Sequence, residues 1–182
     1  PFGGGGALHT GALIKEVGLR SAIIPRFPGV TSALGCVVAD LLYDRVQTVN
    51  KLLSNLDSVS ISKQLKTVSL ELETYITASN TDILRLERFY EFDMLYAGQT
   101  HTVVVPIDID NVSLSKEEIQ KSFDKAYLDT YGRLLENIPV KVVNFRVIVI
   151  GRRPSFDMSL FSPKDGKTES ECILEKREIY AN

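Results

Sequence analysis

The chain has 182 residues, 44% of them hydrophobic and 24% charged, and its 21 Lys and Arg against 23 Asp and Glu leave a net charge of -2. This is globular composition, which excludes wholesale disorder and lacks the basic footprint of a nucleic-acid binder. A membrane span needs about 20 predominantly apolar residues; the most apolar run, 30–42, is broken by Thr31, Ser32, Gly35 and Asp40, so no membrane partner is expected.

The chain opens Pro1-Phe2-Gly3-Gly4-Gly5-Gly6, with no methionine and no strand ahead of the glycine loop. It closes on Glu178-Ile179-Tyr180, which reads as the start of a strand. The expectation is a piece of a longer polypeptide. Residues 7–17 predict a helix with Leu8, Ala12 and Val17 inward and Lys15 and Glu16 outward. Gly18 suits the left-handed position that stops it. Residues 22–24 predict a short apolar strand ended by Pro25 and Pro28, and a second helix runs from Thr31 or Ser32 to about Leu42. Loop, helix, strand, loop and helix make residues 1–45 an α/β segment.

Residues 46–151 follow a different pattern. Ile61, Leu65, Val68, Leu72, Tyr75 and Ile76 recur at helical spacing. The period then changes to two: Leu84, Leu86, Tyr90, Phe92, Met94 and Tyr96 share one face, with Arg85, Glu87, Glu91 and Asp93 on the other. A turn at Ala97-Gly98-Gln99 leads into residues 101–107, which predicts a hairpin. Ser115 to Glu118 is a capping box for a helix carrying Ile119, Phe123, Tyr127 and Tyr131, and Gly132 is placed to end it. Residues 140–150 are β-branched and too apolar on both faces for an exposed edge. Helix, hairpin, helix and strand predict one three-stranded sheet with two helices packed on it. Residues 152–182 read as a polar loop leading into the start of a further β region.

Few residue groupings carry chemistry. Consecutive glycines before a helix let backbone N–H groups approach a ligand, although a tight turn needs the same residues. The loop lacks the Gly-Lys-Ser/Thr of a phosphate-binding P-loop, and His9 stands where a dinucleotide fold needs its third glycine. His9 could bond a base or ribose; a neighbouring carbonyl is the preferred partner from the residues alone. His101, past the hairpin turn, reads as solvated or cross-strand. Asp40 and Asp44 would share a helix face and could hold Mg²⁺, but Arg45 beside them favours a solvated ion cluster. Cys36 reads as packed core between Leu34, Val37 and Val38, and Tyr127 and Tyr131 as core. Neither Cys36 nor Cys172 has CxxC spacing or a nearby histidine, so no metal site is expected and a reducing cytoplasm fits.

The segments Phe2-Gly3-Gly4-Gly5-Gly6-Ala7-Leu8-His9, Pro28-Gly29-Val30-Thr31-Ser32-Ala33-Leu34-Gly35 and Ala39-Asp40 closely resemble the hydantoinase A/5-oxoprolinase family, which includes an acetone carboxylase subunit. Tyr96-Ala97-Gly98-Gln99, Tyr131-Gly132, Pro139-Val140 and Val143-Asn144-Phe145-Arg146 continue the likeness in the same order, as does Arg177-Glu178-Ile179-Tyr180. The resemblance implies a C-terminal portion of an ATP-dependent enzyme. Its fold would be the end of an actin-like (sugar kinase/Hsp70-type) ATPase domain in residues 1–45, a small α-β-β-α-β domain in 46–151, and a loop with the beginning of a β region in 152–182. It implies that Gly3, Gly4, Gly5, Gly6 and His9 line a nucleotide pocket for ATP with Mg²⁺, whose ligands are expected outside these residues. The implied reaction is hydrolysis of a cyclic amide such as a hydantoin or 5-oxoproline, with a hydantoinase B-type subunit as partner. The alternatives are an ATP-dependent ketone carboxylase subunit, or a non-catalytic docking module with an exposed apolar patch. Two positions depart from the family pattern: Ala7 replaces a proline, and Leu95 stands where an arginine is common.

Overall fold

The computed structural model describes residues 1, 3, 5–25, 27–109, 114–161, 166 and 169–173. The chain divides into two compact units, Ala39–Pro154 and a second made of Pro1–Val38 with Ser155–Asn182.

The larger unit is a four-stranded antiparallel sheet in the order β1-β4-β2-β3, with β1 at Leu41–Leu52, β2 at Arg85–Tyr96, β3 at Val103–Ile107 and β4 at Val140–Arg152. Helices α3 (Ser58–Thr77) and α4 (Lys116–Tyr131) connect β1 to β2 and β3 to β4. Each of these connections joins two parallel strands with a third strand inserted between them. The sheet therefore has one strand more than the three expected. The apolar run 33–38 led the helical reading through to Leu42, whereas the second helix ends at Val38 and β1 begins three residues later. Asp40 and Asp44 accordingly share no helix.

Both helices cover the same face of the sheet. From β1, Arg45 pairs with Glu71 of α3 and Tyr43 lies 5.7 Å from Tyr75, ring centre to ring centre. From β2, Arg88 pairs with Glu73 at 2.6 Å, while Tyr96 meets Phe123 and Tyr127 of α4 edge-on at 5.0 and 4.7 Å. The period-two reading of β2 holds from Tyr90 on: Tyr90, Phe92, Met94 and Tyr96 are buried. β4 is central, as its two apolar faces require, and contributes Val142, Phe145, Val147 and Val149 to the core. Gly151 sits where any side chain would collide, since an added Cβ would lie 2.8 Å from Ile76 and 2.9 Å from Ile83.

Local signals set the helix ends. The Asp57 carboxylate accepts the Ser60 N–H at 3.1 Å, and the Ser115 hydroxyl accepts the Glu118 N–H at 3.2 Å. Gly132 closes α4 at φ 71°.

Asp40 fastens both ends of this unit. Its carboxylate accepts the Arg153 N–H at 2.9 Å and pairs with the Arg152 guanidinium at 2.7 Å, and Arg152 also reaches Glu87 at 2.6 Å. The Arg153 backbone bond, with Arg152 second, holds the Asp40 carboxyl below the ordinary carboxylate range; Arg152 and then Arg85 do the same for Glu87. A depressed carboxyl stabilises the fold above its unfolded pKa, and the contribution disappears as pH falls through the folded value. Asp40→Asn is therefore expected to melt below the parent chain at pH 7. The gap should close well below about pH 4, where both carboxyls protonate. Thermal unfolding across that range checks this, and an undiminished gap in acid would overturn it.

The smaller unit contains α1 (Thr10–Val17), α2 (Thr31–Val38), a 3-10 turn at Met158–Phe161 and the short α5 (Glu169–Cys172). α1 starts three residues later than expected and ends as expected, on Gly18 at φ 70°. Residues 22–24 form no strand, because a strand needs a hydrogen-bonded neighbour and none lies among the described residues. Leu8 and Val17 are 83% and 65% exposed rather than inward, and Cys36 is exposed rather than core. No residue of these two eight-residue helices is fully buried, and Ile14, Leu34 and Val38 are only half-buried. Residues 179–180 and Arg177-Glu178, read as a strand start, lie outside the described residues.

Candidate functional site

The glycine loop and the Pro28 turn, 25 residues apart in sequence, meet through one backbone bond: the Gly3 N–H donates to the Pro28 carbonyl at 3.0 Å. Gly3 has φ +83°, a conformation that favours glycine. The loop then tightens toward α1. The Leu8 N–H donates to the Gly5 carbonyl at 3.2 Å, the Thr10 N–H to Ala7 at 3.4 Å and the Thr10 hydroxyl to the Gly6 carbonyl at 3.3 Å. The opposing turn is closed by the Val30 N–H and the Thr31 hydroxyl, both donating to the Phe27 carbonyl, at 3.2 and 2.7 Å. Thr31 thus anchors the start of α2.

These bonds consume carbonyls and leave amides. Among the described residues, the N–H groups of Gly5, Gly6 and Ala7 have no acceptor. Gly5 has an ordinary φ, and a Cβ built on it meets nothing within 4 Å. Neither backbone conformation nor packing within the described residues demands glycine there. An exposed loop with unclaimed donors and no side chains can accept an oxygen-rich group at close range.

Of the expected site residues, Gly3, Gly5, Gly6 and His9 fall in this loop and its junction with α1, and Gly4 lies outside the described residues. His9 is the N-cap of α1, exposed, and makes no capping bond through its side chain. The carbonyl partner preferred for it from sequence is absent among the described residues. The Pro28–Gly29 turn was the part of the site that residue-level reasoning did not assign. Backbone-to-backbone contact leaves no side-chain signature; its marker was only the Pro-Gly pair.

The other candidates fall elsewhere. Asp40 is committed to Arg152 and Arg153, Asp44 faces Arg146 at 3.7 Å on the sheet side away from the helices, and Arg45 pairs with Glu71, so the three enter separate ion pairs rather than the one cluster expected. No group of three or more His, Cys, Asp or Glu residues among the described ones could hold a metal ion. No helix among them is long and apolar enough to cross a membrane. Tyr127 is buried as expected, whereas Tyr131 is 48% exposed.

The fold and site together define an α/β chain with a unit in which a glycine loop meets a Pro-Gly turn at the start of two short helices, and a separate antiparallel sheet unit. Residues 1–45 match the hydantoinase/oxoprolinase family model. An uncharacterized protein of Methanocaldococcus jannaschii is 25% identical over 98% of this chain and 25% of its own length. The caprolactamase alpha subunit of Pseudomonas jessenii is 25% identical over 82% of this chain and 22% of its own. In structure, the ATP-dependent caprolactamase from Pseudomonas jessenii superposes with a TM-score of 0.61 over 85% of this chain and 23% of that one. Nucleotide-free acetone carboxylase, 18% identical with a TM-score of 0.62 over 85% of this chain and 23% of that one, shares the fold. The chain is thus similar to hydantoinase/oxoprolinase-family proteins, and residues 1–45 carry the match to that family's model. It spans about a quarter of the length of the curated relatives it matches.

Proposed function

We propose that this chain serves an ATP-dependent enzyme that opens cyclic amides, with the glycine loop contributing to the nucleotide site. The observation that carries this reading is the loop itself: unclaimed amides at Gly5, Gly6 and Ala7, within the stretch that matches the family model. Its likeness to an ATP-dependent caprolactamase supplies the reaction class. Gly3, Gly4, Gly5 and Gly6 would approach the nucleotide through their backbone, with the exposed His9 beside its ribose or base. Bound ATP supplies activation of the amide oxygen, which turns a poor electrophile into one with a good leaving group. Residues 1–45 would then close an actin-like nucleotide domain, and the Mg²⁺ ligands would come from elsewhere in the polypeptide. The location proposed is cytoplasmic, and the partner a hydantoinase B-type subunit.

A second reading, a docking module for a companion subunit, is favoured by the uncovered face of the sheet. There Leu42, Val46, Phe89 and Val104 are 40–55% exposed across β1, β2 and β3, as their values of 55, 43, 45 and 51% give. One experiment separates the readings: phosphate release from ATP by the full-length protein with its companion subunit, supplied with a hydantoin, 5-oxoproline, a lactam, or acetone with bicarbonate. Release stimulated by a cyclic amide is the expected result. Stimulation by ketone and bicarbonate alone would move the protein to the carboxylases. Stable assembly without stimulated release would favour the docking module.

A further inference from the structure

A surface cleft of about 430 Å³ lies where the β2–β3 turn meets the end of α4, and Gln99, Thr100, His101, Tyr127, Tyr131 and Arg133 are among its lining residues. Two turns about 30 residues apart build it, each depending on a glycine. Gly98 at φ +94° lets the Gln99 N–H return to the Tyr96 carbonyl at 3.0 Å. Gly132 at φ +71° ends α4 with its N–H on the Leu128 carbonyl at 2.8 Å, and Arg133 follows.

The cleft is assembled from oriented groups. The Gln99 side-chain amide donates to the Tyr127 hydroxyl at 2.8 Å, while its carbonyl accepts the Tyr96 N–H at 3.4 Å. Tyr127 is only 4% exposed, and its ring is wedged between Tyr96 and Tyr131 at centroid distances of 4.7 and 4.6 Å. Because the Tyr127 oxygen accepts from Gln99, its own proton is left to donate. Among the described residues that proton has no acceptor, and neither the Arg133 guanidinium, the Tyr131 hydroxyl nor the His101 ring has a partner. Among the described residues, no Asp or Glu lines the cleft. The result is a permanent cation, two phenolic donors and an aromatic wall, with no carboxylate among the described lining residues.

We propose that this cleft binds a small organic carboxylate. Arg133 meets the carboxylate in the fork geometry that guanidinium offers. The tyrosine hydroxyls donate to the same oxygens, and the Tyr131 ring packs along the ligand's body. The carboxyl end of α4 lies here too and adds a partial negative charge. That disfavours a phosphate dianion more strongly than a monoanion. The inference requires neither ATP nor ring opening, and its test is independent of both.

The chain's two histidines make the test direct, since His101 lines the cleft and His9 belongs to the other unit. Propionate titrated into the 182-residue chain at constant ionic strength is expected to shift the His101 ring resonances saturably and leave those of His9 in place. Propionamide, which has the shape without the charge, should produce no shift. Arg133→Gln should weaken propionate binding at least tenfold and Tyr131→Phe several-fold; both positions are exposed, and an unchanged far-UV spectrum and melting temperature verify the fold. A His101 response that never saturates, equal affinity in Arg133→Gln, or tighter binding of inorganic phosphate than of propionate would each overturn the proposal.

Discussion

Phe145→Ala is expected to destabilise the sheet unit by about 3–5 kcal/mol, the usual range for truncating a fully buried aromatic. Phe145 lies on central strand β4, opposite Phe92 of β2 and Gln47 of β1, and is 1% exposed. Its neighbours are held by ladders on both sides and by two helices, so they cannot collapse into the space left behind. A loss of that size is a large part of the 5–15 kcal/mol typical of a whole domain. Urea unfolding followed by circular dichroism should show a lower midpoint with an unchanged slope. Leu70→Ala is the control: Leu70 is on α3 but 64% exposed, and its truncation should cost less than about 1 kcal/mol. Equal losses at the two positions would mean that the sheet is not the centre of stability.

The contrast between the two units explains how much could be read from the residues. Every buried hydrophobic side chain among the described residues lies between Leu53 and Val149. There, periodicity, capping and glycine stops agreed with one another and were correct: α3 from its helical spacing, α4 with Ser115 and Gly132, the hairpin, and the central β4. Strand β1 was missed because its signal is weak on both faces. It is an edge strand, with Leu42 and Val46 outward beside Asp44 and Thr48, and it directly follows an apolar helix. In the smaller unit the same rules failed on facing. Leu8 and Val17 occupy stripe positions, yet a stripe predicts burial only where a second layer exists to meet it. The site was legible as a glycine loop ahead of a helix. Its union with the Pro28 turn was not, because a bond from one backbone to another is indifferent to side chains. The cleft beside Arg133 was hidden for a related reason: Gln99 and Tyr127 are 28 positions apart, and only the fold brings them together.

The nucleotide reading depends most on Gly5, and Gly5→Val in the intact protein is expected to weaken ATP binding about a hundredfold while leaving the fold intact. The two halves of that expectation have separate physical grounds. The fold should be retained because Gly5 has an ordinary φ and an added Cβ would meet no described atom within 4 Å. Binding should fail because a branched side chain would hold the nucleotide away from the amides of Gly5, Gly6 and Ala7. Two lost hydrogen bonds to a charged group, at roughly 1.5–3 kcal/mol each, exceed the roughly 2.7 kcal/mol that a hundredfold represents. Gly3→Val provides the comparison. Gly3 sits at φ +83°, so a side chain there strains the loop itself, and its N–H bond to Pro28 is put at risk. That variant should lose thermal stability along with affinity, whereas Gly5→Val should lose affinity alone. Equilibrium binding of ATP and a melting curve for each variant separate the cases. Unchanged affinity in Gly5→Val would reduce the loop to a turn ahead of α1, and the open space around Gly5 would then need a protein segment rather than a nucleotide to fill it.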